Sequence, residues 1–347
     1  MIYYLLPYFF SILIFFQFRE KIIINKKTFL FISLFFYLLF LSLRGEVGTD
    51  YVHYQTIIDY TRNGDFDFVS YEKGFVLLTQ VFLFLFNNTI HWVIVSVGIL
   101  TFFVLLFTFS HNKQQYTVYL LLIAPFFLTD MTFNGLRYGL SFSLASLAVY
   151  QLYKEQQNIL KFIVLSLISL SMQYSSLLII LIFFAFKFKF TMKQFVLLGL
   201  SVLVFFINLK FDLTYFLDKR DNYSEIVSPS EFSGMGPLIV FLILFCYAYF
   251  YLKNNKKMLV VLLVCVILSV YLSTITYAGL RFLNLFLFCL FLYFAFENFE
   301  KHKNFITILF IVGLLGFGLK IKNFMDEEGQ NDTPFLPYKF YYENKII

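Results

Sequence analysis

Charge is scarce in this 347-residue chain: 14% of its residues are charged, 60% are hydrophobic and the mean hydropathy is +0.77. A water-soluble domain cannot hide that much apolar surface, so lipid must be the solvent for most of the chain. Cysteine is scarce too. Its three copies, Cys246, Cys265 and Cys289, lie inside apolar runs without CxxC spacing, which argues against a disulfide framework or a thiolate metal site and for packing. His53 and His91 are single histidines without i,i+4 partners, so no metal is expected. GxSxG, a Ser/His/Asp order and a phosphate-cradling glycine loop are all missing, which leaves hydrolase and nucleotide-binding readings without a basis. No cofactor is implied. The net charge of +6 calls for no nucleic acid, because basic residues at cytoplasmic loop ends account for it.

What the chain has in quantity is long apolar runs. Segments of roughly 16 to 20 residues recur throughout, the length that crosses a hydrocarbon core as a helix. Spans are expected at Ile2–Phe18, Thr28–Leu43, Ile90–Phe109, Tyr116–Thr129, Leu136–Tyr153, Gln194–Leu209, Pro237–Leu252, Met258–Thr274, Phe282–Phe296 and Phe305–Leu319. Ile2–Phe18 has no basic segment before it and no small-residue cleavage site after it, so it reads as a retained span rather than a signal peptide. The fold class is all-α, a polytopic integral membrane protein of about 10–12 transmembrane helices.

More than half of the 27 lysines and arginines fall in short turns around Arg19–Lys27, Lys113, Lys154–Lys161, Lys187–Lys193, Lys253–Lys257 and Lys301–Lys303, which the positive-inside tendency places in the cytoplasm. The outer loops then cover 44–89 and 210–235, and an outer tail covers 320–347, all within one membrane domain, 1–347. Two segments keep these signs consistent only as short helices. Phe75–Phe86 reads as a re-entrant or interfacial outer helix, since a full crossing would reverse every later charge. Leu160–Phe186 would make about 40 Å of unbroken helix, so it reads as two helices meeting near Met172–Ser175, where Gln173, Tyr174 and serines solvate the break. Pro334 and Pro337 prevent a regular helix in the tail.

This topology gathers the unusual polar residues on the outer face. Arg44, Asp50, Tyr51 and Tyr54 follow the second span, and Glu72 precedes the short helix. Asp130, Asn134 and Arg137 lie between two spans, Gln173 at the bend, and Tyr277 and Arg281 at the mouth of a later span. Any one arginine at a boundary reads equally well as an anchor reaching the headgroups. Three on the outer face run against the positive-inside tendency and together favour anion binding, for which the guanidinium fork suits phosphate. Asp50 and Glu72 read either as ion-pair partners of a nearby cation or as groups that orient or deprotonate a hydroxyl.

The stretches RGEVGTDYVHY, YEKGFVLL and FNGLRYGL resemble the EpsG group of bacterial polysaccharide polymerases, which is related to Wzy-type O-antigen polymerases. The matching residues are Arg44, Gly48, Asp50, Tyr51, Tyr54, Glu72, Gly74, Phe75, Asn134 and Arg137; Tyr277–Arg281 and Pro337-Tyr338 match more loosely. The chain departs from the group at Tyr138, where glutamine is common, and at Gln173-Tyr174-Ser175, where His-x-Ser is common; glutamine cannot accept and release a proton as imidazole does, so a histidine-based mechanism does not carry over from the group.

The resemblance implies a multi-pass protein of the bacterial inner membrane that joins undecaprenyl-pyrophosphate-linked oligosaccharide units into O-antigen, capsule or exopolysaccharide. Its partners would be that lipid-linked oligosaccharide, the lipid bilayer and, in the same pathway, a chain-length regulator and a flippase. Asp50, Glu72 and Arg137 are then the catalytic candidates. Arg44, Tyr51, Tyr54, Asn134, Gln173, Tyr277 and Arg281 are the substrate-binding ones.

Two other classes use similar physics. A lipid-linked glycan flippase or exporter would carry charge along a path through the bilayer, commonly in repeated halves, whereas here the polar residues are one-sided and no half echoes the other. A polyprenyl-phosphate-dependent glycosyltransferase or a ligase is separated from a polymerase only by the resemblance.

Overall fold

The computed structural model describes residues 4, 35–66, 71–189, 191, 194, 234–252, 255–274, 276–297, 304–325, 333–336 and 338–342. The expected spans Ile2–Phe18 and Gln194–Leu209, apart from Tyr4 and Gln194, the first part of Thr28–Leu43 and most of the 210–235 loop lie outside the described residues. The protein is 80% helical and has no strands among the described residues, an all-α polytopic membrane architecture. Among the described residues, four helices are long and apolar enough to cross a membrane: Ile90–Phe109, Met235–Leu252, Lys256–Ser273 and Ala278–Phe296. Shorter apolar helices accompany them.

The chain divides into two compact units, the first comprising Met1–Ala148, Leu160–Ser176 and Lys303–Ile347, the second Val149–Ile159 and Leu177–His302. In the first unit, helical backbone over 35–42 leads to the 43–50 loop and to α1, Tyr51–Asn63. Its buried residues, Tyr51, Tyr54, Ile57, Ile58 and Thr61, follow the i, i+3, i+4 rhythm of a helix with one packed face. Gly64, at φ 82°, ends it in the left-handed conformation that most side chains avoid.

α2, Lys73–Leu85, is the short apolar helix expected at Phe75–Phe86. Phe75, Thr79 and Leu83 are buried, while Leu77, Val81 and Phe84 point outward as a lipid-facing stripe. Asn87 and Asn88, at φ 50° and 61°, turn the chain into α3, Ile90–Phe109. Asn is among the few residues that adopt this conformation readily.

Asn112 then opens α4, accepting the Gln115 N–H on its side chain at 2.8 Å. α4 starts as ordinary helix at Lys113–Val118 and continues with the wider i→i+5 winding through Tyr119–Leu128 and Asp130–Asn134. This corrects the expected boundary Tyr116–Thr129. Asp130 and Asn134 belong to the end of the helix rather than to a connection, because a wider winding continues past Pro125, whose missing N–H breaks the ordinary pattern.

α4 is the hub of the unit. A Cβ at Gly98 of α3 would lie 2.7 Å from the Thr132 carbonyl oxygen, and Gly139 and Gly313 bring two further helices against the carbonyls of Met131 and Leu121. These helices are α5, Leu136–Tyr153, and α11, Phe305–Phe324. Small residues permit such backbone approach, which supplies packing where the solvent is itself apolar. Between α5 and α11 in chain order, α6 covers Ile159–Met172 and α7 covers Ser176–Lys187. The helical break therefore falls at 173–175, where the lysine positions required it.

In the second unit α8, Met235–Tyr247, extends with wide winding over Ala248–Leu252 and precedes α9, Lys256–Ser273, and α10, Ala278–Phe296. α10 is the core helix, with every residue from Leu285 to Phe296 buried. It begins before the expected Phe282, so Arg281 sits inside its first turn. α9 instead turns Val264, Ile267, Leu268 and Tyr271 outward as lipid-facing surface.

Candidate functional site

The polar residues of the first unit converge where the 43–50 loop, the starts of α1, α2 and α5, the end of α4 and the 173–175 break meet. Arg44 is wholly buried. Its Nη1 donates to the Thr132 carbonyl at 3.0 Å, and its Nη2 donates to Val47 and Phe133 carbonyls at 3.0 and 2.8 Å. The guanidinium also lies 4.8 Å from the Phe133 ring centroid and 5.3 Å from that of Tyr51. The last carbonyls of a helix carry partial negative charge, so a cation here satisfies them and ties the loop to α4. Burial pushes the Arg44 guanidinium down to about 10, which leaves it charged at neutral pH.

Asn134 shapes the next turn. Its Oδ1 accepts the Asp50 N–H at 3.0 Å and lies 2.8 Å from the Thr49 hydroxyl. Gly48 reaches φ 109° in this turn, and a Cβ there would lie 3.1 Å from the Phe133 carbonyl oxygen, so both the conformation and the space suit only glycine. Asp50 then precedes α1, with Thr49 Oγ1 at 3.2 Å from its Oδ1.

The third element is a buried ion pair. Arg137 Nη1 donates to Glu72 Oε2 at 2.6 Å, with 11% of the Arg137 side chain and 1% of the Glu72 side chain exposed. Glu72 Oε1 accepts the Tyr174 N–H at 3.4 Å, and the Arg137 N–H donates to the Tyr54 hydroxyl at 3.2 Å. The guanidinium stands 4.0 Å from the centroid of the Tyr71 ring, a cation–π contact. Burial raises the Tyr71 hydroxyl well above its ordinary value, and the Tyr174 hydroxyl rises for the same reason. Both are neutral donors at any physiological pH.

The 173–175 break is held in place by small polar residues. Ser141 Oγ lies 2.9 and 3.1 Å from the carbonyl oxygens of Ser169 and Gln173, which share its one proton, and Ser169 Oγ returns a bond to Ser141 O at 2.8 Å. Gln173 thus contributes its backbone to the support of Tyr174. Among the sequence-derived candidates, the first unit therefore brings together Arg44, Asp50, Tyr51, Tyr54, Glu72, Asn134, Arg137 and Gln173. Tyr51 and Tyr54 are packed inward, 3% and 4% exposed. Tyr277 and Arg281 belong to the second unit, where the Arg281 guanidinium lies 5.8 Å from the Tyr277 ring centroid.

A family model described as the EpsG family matches residues 27–340, nearly the whole chain. The chain belongs to the EpsG family. This is a family of Wzy-like polysaccharide polymerases. No curated protein and no solved structure matches the chain.

Within this EpsG-family protein, sequence reasoning missed three contributors. Tyr71 supplies the ring beneath Arg137, and its position beside Glu72 was the available signal. His53 meets Tyr71 edge-on, ring centroids 5.8 Å apart, a contact that metal-ligand spacing does not reveal. The C-terminal segment clasps the 43–48 loop: Gly45 N–H donates to Lys339 O at 2.8 Å, Tyr341 N–H to Leu43 O at 3.0 Å, and Gly48 N–H to Pro334 O at 2.8 Å. Tyr341 also stacks on His91 with centroids 3.7 Å apart. Among the described residues no group of three His, Cys, Asp or Glu side chains is placed to hold a metal ion.

Proposed function

We propose that this protein polymerises oligosaccharide repeat units carried on undecaprenyl pyrophosphate, at the outer face of the bacterial cytoplasmic membrane. The observation that carries this reading is the Arg137 guanidinium, fixed between Glu72 and the Tyr71 ring within the cluster formed by the family's motif residues. A guanidinium held in one orientation is suited to counter the charge that develops on a pyrophosphate leaving group, and it needs no reorganisation at the moment of reaction. Glu72 orients Arg137. Asp50, presented by the turn that Asn134 and Gly48 build, faces the acceptor sugar. Arg44 maintains that turn from beneath through its three carbonyl bonds. Tyr51 and Tyr54 serve the site chiefly by packing, and Gln173 by fixing the Tyr174 N–H on Glu72. Arg281, beside Tyr277, is a second boundary cation.

In the reaction, the hydroxyl of the incoming unit's non-reducing sugar attacks the anomeric carbon of the growing glycan. The new C–O bond forms as the bond to pyrophosphate breaks, and the lipid carrier leaves with its pyrophosphate. Deletion of the gene, with complementation by wild type or Arg137→Lys at matched membrane levels, tests the reading on a gel of surface polysaccharide. A ladder that collapses to single units in the deletion and the variant supports it. Loss of even the single-unit band points instead to export or ligation.

A further inference from the structure

The transfer needs a group to receive the proton of the attacking hydroxyl, and the cluster narrows the choice. Both Glu72 oxygens are engaged, one by Arg137 and one by the Tyr174 N–H, and the side chain is shut away from solvent. Asp50 is half-buried and already engaged in its turn, its N–H held by Asn134 and its Oδ1 3.2 Å from the Thr49 hydroxyl. His53 lies three residues after Asp50 in the first turn of α1, so the two side chains occupy neighbouring positions on one helix edge. It is partly exposed, its ring meets the Tyr71 ring that also carries Arg137, and its nitrogens have no hydrogen-bond partner among the described residues.

We propose that His53 is the general base of the polymerase, its imidazole taking the proton of the acceptor hydroxyl while Asp50, one turn earlier, stabilises the imidazolium that forms. The proposal rests on the polymerase reading above. The electron pair of the hydroxyl oxygen makes the new bond to the anomeric carbon, and the pair of the broken bond departs on the pyrophosphate beside Arg137. The proton passes to His53 and from there to water. The groups facing His53 are Asp50 on its own helix, Arg137 from α5 and Tyr71 from the segment before α2. Local burial, joined by the Arg137 charge and opposed by Asp50, holds the imidazole below its usual 6.5, so it is neutral and ready to accept a proton at pH 7.

The test is a pH–rate profile of the purified full-length protein on a lipid-linked repeat unit, for wild type, His53→Ala and Asp50→Asn. Wild type is expected to lose rate on the acid side with a midpoint below 6.5. His53→Ala is expected to lose about 10²–10⁴-fold in kcat with little change in KM, to lack that acid limb, and to recover partly when free imidazole is added, which a merely structural role would not allow. Asp50→Asn should keep the limb but run more slowly. If His53→Ala turns over as fast as wild type with the same acid limb, His53 is not the base and the polymerase reading stands. If wild type extends no units at all, the polymerase reading fails and the base assignment with it.

Discussion

Glu72 and Arg137, 65 positions apart in the chain, meet at 2.6 Å, and it is the carboxylate rather than the guanidinium that is the more deeply buried of the two. The asymmetry makes the single substitutions unequal. Removing Arg137 strands a buried carboxylate, which costs about 3–5 kcal/mol, whereas removing Glu72 leaves a cation that can still reach the surface and the Tyr71 ring. Arg137→Ala is therefore expected to lower thermal stability in detergent more than Glu72→Ala. The double variant Glu72→Gln/Arg137→Gln, which removes both charges at similar volume, should be close to wild type in stability and yet make no ladder. A stable double variant that still polymerises would show that Arg137 is not the group that meets pyrophosphate.

Arg44 carries the opposite expectation, a role in the turn rather than on the substrate. A lysine at this position has no planar fork, so it cannot serve the Val47, Thr132 and Phe133 carbonyls together. Each bond lost from a charged donor is worth about 1.5–3 kcal/mol. Arg44→Lys should thus melt lower than wild type, and its activity per folded molecule should be largely kept. Normal melting with loss of activity would instead mean that Arg44 touches the substrate.

How much of this was legible in the sequence differs from residue to residue. The helical break at 173–175 could be read because lysines on both sides of an overlong apolar run leave only one arrangement that keeps them on one side of the membrane. Arg137 and Arg281 stood out because charge at a membrane boundary is costly, and Asp50 and Glu72 through their place in the motifs beside them. That Glu72 might pair was legible, but its partner was not, since helix starts far apart in sequence must first pack. Arg44 looked like an exposed cation because nothing in the sequence announces that α4 winds wide and ends with its carbonyls turned toward the 43–50 loop. The tail's grip on that loop rests on backbone hydrogen bonds, which leave no side-chain pattern to read. His53 lacks metal-ligand spacing, and its place one turn from Asp50 gains meaning only once Tyr71 and Arg137 are seen beside it.

The grip of the tail gives a third prediction. A Cβ at Gly45 would lie 2.9 Å from the Lys339 carbonyl oxygen and 3.1 Å from that of Phe340, so Gly45→Ala pushes against the backbone that pairs with the loop. Overpacking of this kind costs about 1–3 kcal/mol, and about 1.4 kcal/mol corresponds to a tenfold change in local opening. Trypsin should therefore cut at Lys339 about tenfold faster in Gly45→Ala than in wild type, followed by loss of a C-terminal tag. Equal rates would mean that the tail is not held through this contact.

Gly74 sets the approach of α2 to α6, and so the distance at which Glu72 finds Tyr174. A Cβ there would overlap the Ser171 side chain and lie 2.7 Å from the Ser171 carbonyl oxygen. Trimming the side chain relieves only the first of these, because the carbonyl is part of α6 itself. Gly74→Ala is expected to lower stability by about 1–3 kcal/mol and to weaken polymer formation, because Ser171 stands three residues before Tyr174 and the displacement of one carries the other. Adding Ser171→Ala should leave most of the defect in place. Full restoration of melting temperature and ladder by that second change would show that the side-chain overlap alone mattered, and that the backbone contact between α2 and α6 does not set the position of Glu72.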